Sequence, residues 1–243
     1  MSSFVKKPPL IMGRHCVNEV LKTRPEHIQT LFFFKENDCL AEKAGDVHVA
    51  VQRVSKRHLS SMVQSDSHQG VVARLYKRYY TQLKTFLKAP VDESCVLMCD
   101  GITDPQNFGA ILRAGACFGI RAVVFSKNRN VSITPVVSKA SVGGTELIPL
   151  LQVSNLTDTL KQFQQSGYTA ITADVGHQSR CLSTFTFPQK SLLILGSEHR
   201  GVQPLLRRRA DVSISIPLLG QIDSLNVGQA AAILLFAARS KKN

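Results

Sequence analysis

The sequence lacks the motifs of several large enzyme classes. No GxGxxG motif follows a strand-like run, so the usual dinucleotide site is unsupported. No GxxxxGK(S/T) motif is present, which excludes a P-loop enzyme. The segment after one apolar run, GSEHRG (196–201), does not match GxSxG, and a nucleophile elbow is therefore excluded.

Metal and disulfide chemistry find little support. The six cysteines form no CxxC pair, and several fall inside apolar runs, as small core residues do. The seven histidines show no metal-ligand spacing, so no zinc site is predicted. This pattern favours a reduced, metal-free, cytosolic protein.

Long hydrophobic segments are also missing. No run of 18 apolar residues exists, so no transmembrane helix is expected. The N-terminal stretch MSSFVKKPPL lacks a long apolar core after its lysines and is not typical of a secretory signal. We expect a cytoplasmic protein that does not bind a membrane.

Positive charge is abundant. The formal net charge is +13 and the pI is about 9.7. Residues 1–90 hold 15 Lys/Arg against 7 Asp/Glu, whereas residues 91–243 hold 15 against 10. Such a surplus favours a polyanionic partner, because each neutralised phosphate releases a counterion. A basic solvated surface without a partner is the alternative.

The first part of the chain predicts a small α/β module. Residues 10–75 alternate between helix-like and strand-like segments, with strands expected at 31–34, 47–51 and 70–76 and helices at 15–23, 38–44 and 55–63. We assign residues 1–75 to this domain and 76–92 to a basic linker. Tyrosines beside Lys and Arg in YKRYYTQLKTFLKAP (76–90) could stack bases and hold phosphates, or the stretch is a solvated connector.

The second part, 93–243, predicts a regular α/β alternation. Near-continuous apolar runs favour strands covered on both faces, and therefore a mainly parallel sheet. The expected strands are 95–100, 121–126, 146–150 (ELIPL), 169–174, 191–196 and 212–216. The last helix, about 225–240, could bury one face and leave another for a partner subunit, or be buried all round.

Polar residues follow three of these strands. Asn107 and Arg113 lie in NFGAILRAG, with Arg113 opposite a stripe of Phe108, Ile111, Leu112, Gly115 and Phe118. Glu198 lies in LGSEHRG, and Ser224 and Asn226 in IPLLGQIDSLNVGQAAAI. Each alone could be a helix cap or a surface residue. Parallel sheets place ligands at the carboxyl ends of their strands, so together they predict a site.

These three segments resemble, in order and spacing, the motifs of the SpoU family of RNA ribose 2′-O-methyltransferases. GRHCVNEVL and HQGVVARL resemble the ends of the substrate-binding domain of the bacterial members that act on large-subunit ribosomal RNA. The resemblance implies a trefoil-knotted α/β domain, a homodimer and an N-terminal domain similar to ribosomal protein L30e. The knot would be made by Gly196–Gly201, Pro217–Leu225 and the last helix.

The resemblance also implies a cofactor and the residues of a site. S-adenosylmethionine would bind in the knot near Gly196, Ile216 and Leu225, without a metal. The motif residues map onto Asn107, Arg113, Glu198, Ser224 and Asn226. Arg113 would act on the ribose 2′-hydroxyl; because a guanidinium holds its proton strongly, stabilising the developing alkoxide and the adjacent phosphate is its physically easier role. Glu198 and Asn107 would position Arg113 or the ribose, and Ser224 and Asn226 would hold the third loop.

The implied reaction is methyl transfer to the 2′-hydroxyl of a nucleotide in RNA, foremost a guanosine of 23S ribosomal RNA. Transfer RNA is the alternative substrate, a non-catalytic RNA-binding assembly protein is the alternative function, and an NAD-dependent oxidoreductase is disfavoured by the missing glycine motif. Two residues depart from the family pattern. His199 replaces a glycine and could restrict the loop backbone; Gly228 replaces a common serine and removes a hydroxyl near the cofactor.

Overall fold

The computed structural model describes residues 8–36, 38–174, 179–198 and 200–240. Within these residues the strands are β1 (Leu10–Met12), β2 (Ile28–Phe33), β3 (Ala50–Arg53), β4 (Val71–Leu75), β5 (Ser94–Asp100), β6 (Ala122–Ser126), β7 (Leu150–Val153), β8 (Thr169–Ala173), β9 (Arg180–Cys181), β10 (Lys190–Gly196) and β11 (Val212–Ser215). The α-helices are α1 (Arg14–Thr23), α2 (Cys39–Asp46), α3 (Lys56–Val63), α4 (Leu83–Lys88), α5 (Pro105–Cys117), α6 (Pro135–Ala140), α7 (Gly144–Leu147), α8 (Leu156–Gln165), α9 (Pro204–Arg209) and α10 (Val227–Ser240).

The chain forms two compact units. The first comprises Met1–Tyr79 together with Ile133–Leu147, and the second comprises Tyr80–Ser132 together with Ile148–Asn243. The segment that carries α6 and α7 therefore packs with the N-terminal unit, although residues 80–132 separate it from that unit's first segment. The sequence pattern did not predict that residues 133–147 belong to the first unit.

The first unit is built on a four-stranded sheet of order β1-β4-β2-β3. β4 pairs antiparallel with β1 and β2, whereas β2 and β3 are parallel. Two helices begin at side chains that cap them: Asp38 accepts a hydrogen bond from the N–H of Leu40, and Ser55 accepts one from His58. Such caps satisfy amide groups that a helix start leaves without partners. The predicted helices therefore begin where the sequence places polar caps.

A buried ion pair fastens the α6–α7 segment within this first unit. The Arg78 guanidinium contacts Glu146 at 2.9 Å and donates to the carbonyl oxygen of Ile133 at 2.8 Å. The two side chains are only 7% and 2% exposed. Because a buried charge needs a partner, these contacts tie the end of the first segment to α7.

The second unit is built on a sheet of order β7-β6-β5-β10-β8-β11-β9, in which every pair of neighbours is parallel. Its central strands are buried along almost their whole length, as the continuous apolar runs predict. From β5 the chain moves outward through β6 and β7, then crosses to β8, and β10 inserts between β5 and β8. This reversal puts the carboxyl end of β10 in the middle of the sheet, where open α/β sheets bind ligands. The expected fold class, α/β with a mainly parallel sheet and a small N-terminal α/β domain, is confirmed.

Several local predictions need correction. ELIPL (146–150) is not a strand: Glu146 and Leu147 end α7, because Glu146 is held by the buried ion pair, and β7 begins only at Leu150. The basic linker expected at 76–92 contains α4, whose Phe86 is buried among the core residues of the second unit. The strand expected at 47–51 begins at Ala50. Phe118 lies just beyond the end of α5 and is only half-buried, whereas the other four residues of its stripe are buried.

No helix among the described residues is long and apolar enough to cross a membrane.

Candidate functional site

A cleft of about 180 Å³ opens at the carboxyl ends of β8, β10 and β11. The three residues expected near a cofactor, Gly196, Ile216 and Leu225, all line it. Glu198 and Ser224 line it too, so five of the eight sequence-predicted site residues share one cavity. The parallel strand order explains this convergence, because loops at the same strand ends meet at one edge of the sheet.

The loop after β10 folds back tightly on itself. The N–H of Gly201, at φ +62°, donates to the carbonyl oxygen of Ser197 at 2.8 Å. A Cβ atom on Gly196 would overlap the backbone of Gly201 and Val202. Only glycine fits at this crossing, which explains why the strand ends in one. His199, the expected departure in this loop, lies outside the described residues.

Asn226 joins the three polar segments. Its Nδ2 atom donates to Asn107 Oδ1 at 2.8 Å and to Glu198 Oε1 at 2.7 Å. Its Oδ1 atom accepts from the N–H of Gly228 at 2.9 Å and so caps α10. Glu198 Oε1 also accepts from the N–H of Val227 at 3.3 Å. One amide side chain therefore orients residues that are far apart in the sequence.

Close packing of α10 against α5 brings Asn226 to Asn107. A Cβ atom on Gly228 would lie only 2.8 Å from Cβ of Ala110, a distance that forces atoms apart. The glycine that replaces the family's common serine therefore has a packing role, in addition to the expected loss of a hydroxyl. On α5, Asn107 itself is set by Asp104, which caps the helix by accepting from the N–H of Asn107 at 2.7 Å.

Arg113 lies on α5 two turns after its beginning, on the exposed side of the helix opposite buried Ile111 and Leu112. Among the residues that the structure describes, its guanidinium has no hydrogen-bond or ion-pair partner. Arg113 does not line the cleft. A charged group without a protein partner at this position is available to a ligand, which is the arrangement that a substrate contact requires.

Ser224 is exposed at the rim of the cleft, and its hydroxyl likewise has no hydrogen-bond partner in the described part of the chain. Its predicted contribution to holding the third loop is therefore not carried by a hydrogen bond within these residues. Asn226 instead links the end of this segment to Glu198 in the loop after β10.

Sequence reasoning missed Asp100, a nearly fully buried carboxylate at the end of β5. Its Oδ2 atom accepts from the backbone N–H of Gln203 at 2.8 Å, and its Oδ1 atom accepts from the side-chain amide of the same residue. This pair links the end of β5 to the start of α9. A usable signal existed, since a carboxylate that ends an apolar strand at a ligand-binding edge rarely lacks a role. Burial raises the pKa of the neighbouring Cys99 thiol, and the Asp100 charge adds to that effect, so this thiol stays protonated and unreactive.

No group of three or more His, Cys, Asp or Glu side chains within residues 8–36, 38–174, 179–198 and 200–240 lies close enough to hold a metal ion.

Comparison with known proteins identifies the chain. Residues 94–236 match the model of the SpoU rRNA methylase family, and residues 10–81 match that of RNA 2′-O ribose methyltransferase substrate binding. The chain belongs to the SpoU rRNA methylase family. The resemblance seen in the three motifs is therefore confirmed, and these two matches together extend over most of the sequence.

Relatives and solved structures are similar to this chain along nearly its full length. The 23S rRNA (guanosine-2′-O-)-methyltransferase RlmB of Shewanella oneidensis is 33% identical over 241 residues, which cover 96% of this chain and 98% of that protein. The SpoU methyltransferase AviRb from Streptomyces viridochromogenes has a TM-score of 0.80 at 21% identity, covering 97% of this chain and 90% of that one. An AdoMet-bound rRNA methyltransferase from Sinorhizobium meliloti has a TM-score of 0.79 at 23% identity, covering 98% of this chain and 88% of that one. The two structures support the fold.

Proposed function

We propose that this protein transfers a methyl group from S-adenosylmethionine to the ribose 2′-hydroxyl of a guanosine in 23S ribosomal RNA. Membership of the SpoU family supports the reaction, and the named activity of the RlmB relatives supports the substrate. The observation that carries the proposal is the pair of hydrogen bonds made by Asn226. They join Glu198, in the loop after β10, to Asn107 on α5, the helix that also carries Arg113.

The residues that line the cleft suit the methyl donor. Ile214, Ile216, Leu218 and Leu225 provide apolar walls suited to an adenine ring, and Gly196 leaves its backbone free of a side chain. We propose that Gly196, Ile216 and Leu225 hold the donor. When bound, the donor supplies a methyl group on a positively charged sulfur, which makes that carbon electrophilic.

We assign the contact with the ribose of the RNA to the exposed guanidinium of Arg113 on α5. Arg113 stabilises the negative charge that develops on the ribose oxygen and pairs with the adjacent phosphate, since a fixed cation without a protein partner can do both. Asn107 and Glu198, held together by Asn226, keep α5 and the cleft loop in register, so that the ribose oxygen and the donor are aligned. Ser224 borders the cleft from the third loop.

Matches over residues 10–81 and 94–236 support the following domain assignment, whose bounds come from the sequence pattern. Residues 1–75 form the RNA substrate-binding domain, 76–92 the basic linker and 93–243 the methyltransferase domain. The crossing of Gly196 by the Gly201–Val202 backbone supports a trefoil knot made by the late loops and α10. We propose a cytoplasmic location, because the RlmB relative of Shewanella oneidensis is a bacterial protein named for its action on 23S rRNA.

A homodimer completes the proposal. On α10, Phe236 is 60% exposed, and it contacts the half-buried Phe118 beyond α5. Ile233, one turn earlier, is also exposed. An apolar patch of this kind on a helix is typical of a subunit interface. Light scattering of the purified protein tests the dimer, and a monomeric mass at micromolar concentration would contradict it.

Mapping of ribose methylation in total RNA, from cells with and without the protein, tests the function. The expected result is the loss of one 2′-O-methylated guanosine in 23S ribosomal RNA. Loss of a site in transfer RNA would reassign the substrate. Unchanged methylation in all RNA, together with no S-adenosylmethionine binding by calorimetry, would instead support a non-catalytic assembly protein.

A further inference from the structure

A second cavity, of about 520 Å³, borders the same loop as the cleft. Ser197 and Gly201 line both cavities. The rest of its wall includes Gly101 and Thr103, which follow β5, and two arginines, Arg129 and Arg200. We call this cavity the arginine groove. It lies beside the residues assigned to the acceptor, because Thr103 precedes the cap of α5 and Arg200 follows Glu198 by two residues.

The arginine groove carries unmatched positive charge. Both Arg129 and Arg200 are exposed, and neither guanidinium has a hydrogen-bond or ion-pair partner among the described residues. The acidic side chain that lines the groove, Asp100, is already engaged, since both of its oxygens accept hydrogen bonds from Gln203. Two cations that line one cavity make its potential positive and favour an anion there.

A further donor without a partner lies next to the groove. The Oδ1 atom of Asn130 accepts from the N–H of Gly101 at 3.3 Å, so this side chain lies against the groove wall. Its Nδ2 atom is buried and has no hydrogen-bond partner within the described residues. Buried donors are nearly always satisfied, by protein groups or by ordered water. The two guanidinium groups of the groove suit an oxygen-rich anion.

We propose that the arginine groove binds a phosphodiester of the acceptor RNA strand, close to the nucleotide that is methylated. This inference rests on the proposed function, because RNA is the anion that must approach this edge of the sheet. Guanidinium groups match the geometry of phosphate oxygens, and a backbone contact positions a strand without reading its sequence. The groove would then set which ribose reaches Arg113, while the N-terminal domain supplies other RNA contacts.

The test measures RNA affinity in the full-length protein carrying Arg129→Gln, Arg200→Gln or both. Each single variant should weaken binding of a 23S ribosomal RNA fragment by about tenfold, as expected when one charged hydrogen bond is lost. The slope of log K against log salt should fall by about 0.7–0.9 for each phosphate contact removed. Lys161→Gln, an equal loss of charge at an exposed position of α8 outside the groove, is the matched control and should change affinity less than twofold.

Three further results separate the alternatives. RNA affinity and salt slope in the double variant equal to those of Lys161→Gln would overturn the proposal, even if the wild-type protein methylates RNA. Weaker S-adenosylmethionine binding with unchanged RNA binding would overturn it by assigning the groove to the donor. Arginine-dependent binding of inorganic phosphate, again with unchanged RNA affinity, would assign it to free phosphate. RNA binding is measured without turnover. A protein that binds RNA through the groove but never methylates it would therefore refute the proposed function and still support RNA binding by the groove.

Discussion

The side-chain amide of Asn226 lies 2.8 Å from Oδ1 of Asn107, although the two residues are 119 positions apart in the chain. The same nitrogen reaches Glu198 at 2.7 Å. The contact therefore joins the first turn of α5, the cap of α10 and the loop after β10 at one point. Residues from all three segments are needed for the proposed reaction, so this amide is a sensitive place to test whether they act as a unit.

Replacing Asn226 by Ser should keep the cap of α10 and remove the bridging amide. Serine caps helices nearly as well as asparagine, so stability should change by less than about 1 kcal/mol. Methyl transfer should fall roughly 10- to 100-fold, because two hydrogen bonds that align the loop and α5 are lost. The measurement is initial-rate transfer of labelled methyl to RNA, alongside thermal unfolding.

Asn155→Ser is the matched control for that variant. Asn155 caps α8 through the N–H groups of Thr157 and Asp158, and it does not line the cleft. It should leave transfer unchanged. Wild-type rates in Asn226→Ser would show that the bridge has no part in alignment.

Replacing Arg113 by Ala should reduce turnover by about 10²–10³-fold, the usual effect of removing one group that stabilises transition-state charge. Because the side chain is exposed and has no partner among the described residues, the unfolding temperature should not change. Donor affinity, measured by calorimetry, should also stay the same. Arg113→Lys should recover part of the rate if the role is electrostatic, whereas full turnover in Arg113→Ala would refute any role in the reaction.

Replacing Gly196 by Ala should displace the loop at 197–201, since the new Cβ would overlap the backbone of Gly201 and Val202. Backbone at such a crossing has little room to move, so S-adenosylmethionine binding should weaken at least tenfold, at an overpacking cost of about 1–3 kcal/mol. Gly220→Ala is the control, because a Cβ there meets nothing closer than 4.0 Å. Equal donor affinity in the two variants, by calorimetry, would show that the tight loop does not shape the cleft.

Replacing Arg78 by Met should destabilise the first unit by about 3–5 kcal/mol, because Glu146 would remain as a buried charge without its partner. The double variant Arg78→Met/Glu146→Leu should recover much of that loss. Urea unfolding provides the free energies. The exposed pair Arg53–Glu36 is the comparison, and Arg53→Met should cost less than about 1 kcal/mol. Similar losses from both single variants would contradict a special role for the buried pair.

Sequence patterns predicted most of the architecture because they report local physics. Continuous apolar runs identified the central parallel strands, and polar residues such as Ser55 and Asn155 marked helix starts. The resemblance of the motifs also pointed to Gly196, Ile216 and Leu225 as cofactor-site residues, and all three line one cleft. Contacts between residues that are far apart in the sequence could not be predicted in this way. ELIPL reads as a strand until Arg78 is known to pair with its glutamate, and nothing local shows that Asn226 meets Asn107.

Acid should destabilise the first unit through His68, in the HQGVVA segment. This side chain is buried, and its Nδ1 atom accepts a hydrogen bond from the N–H of Gly70 at 3.0 Å. Burial lowers the pKa of His68, an effect that the nearby Asp66 only partly opposes. In the unfolded chain the histidine has a pKa of about 6.5, so below that pH the unfolded state binds more protons than the folded state. Stability is therefore complete above about pH 7 and is lost as the pH falls through 6.5 toward the folded-state pKa, by at most about 1.4 kcal/mol per pH unit.

Urea unfolding at pH 7.5 and pH 5.5 measures this loss in wild type and in His68→Gln, which cannot titrate. The stability lost between the two pH values should be smaller in His68→Gln. His58→Gln, which removes an exposed histidine from α3, should lose as much as wild type. An identical loss in wild type and His68→Gln would mean that the Gly70 N–H does not hold the ring neutral, and that the acid sensitivity comes from other groups.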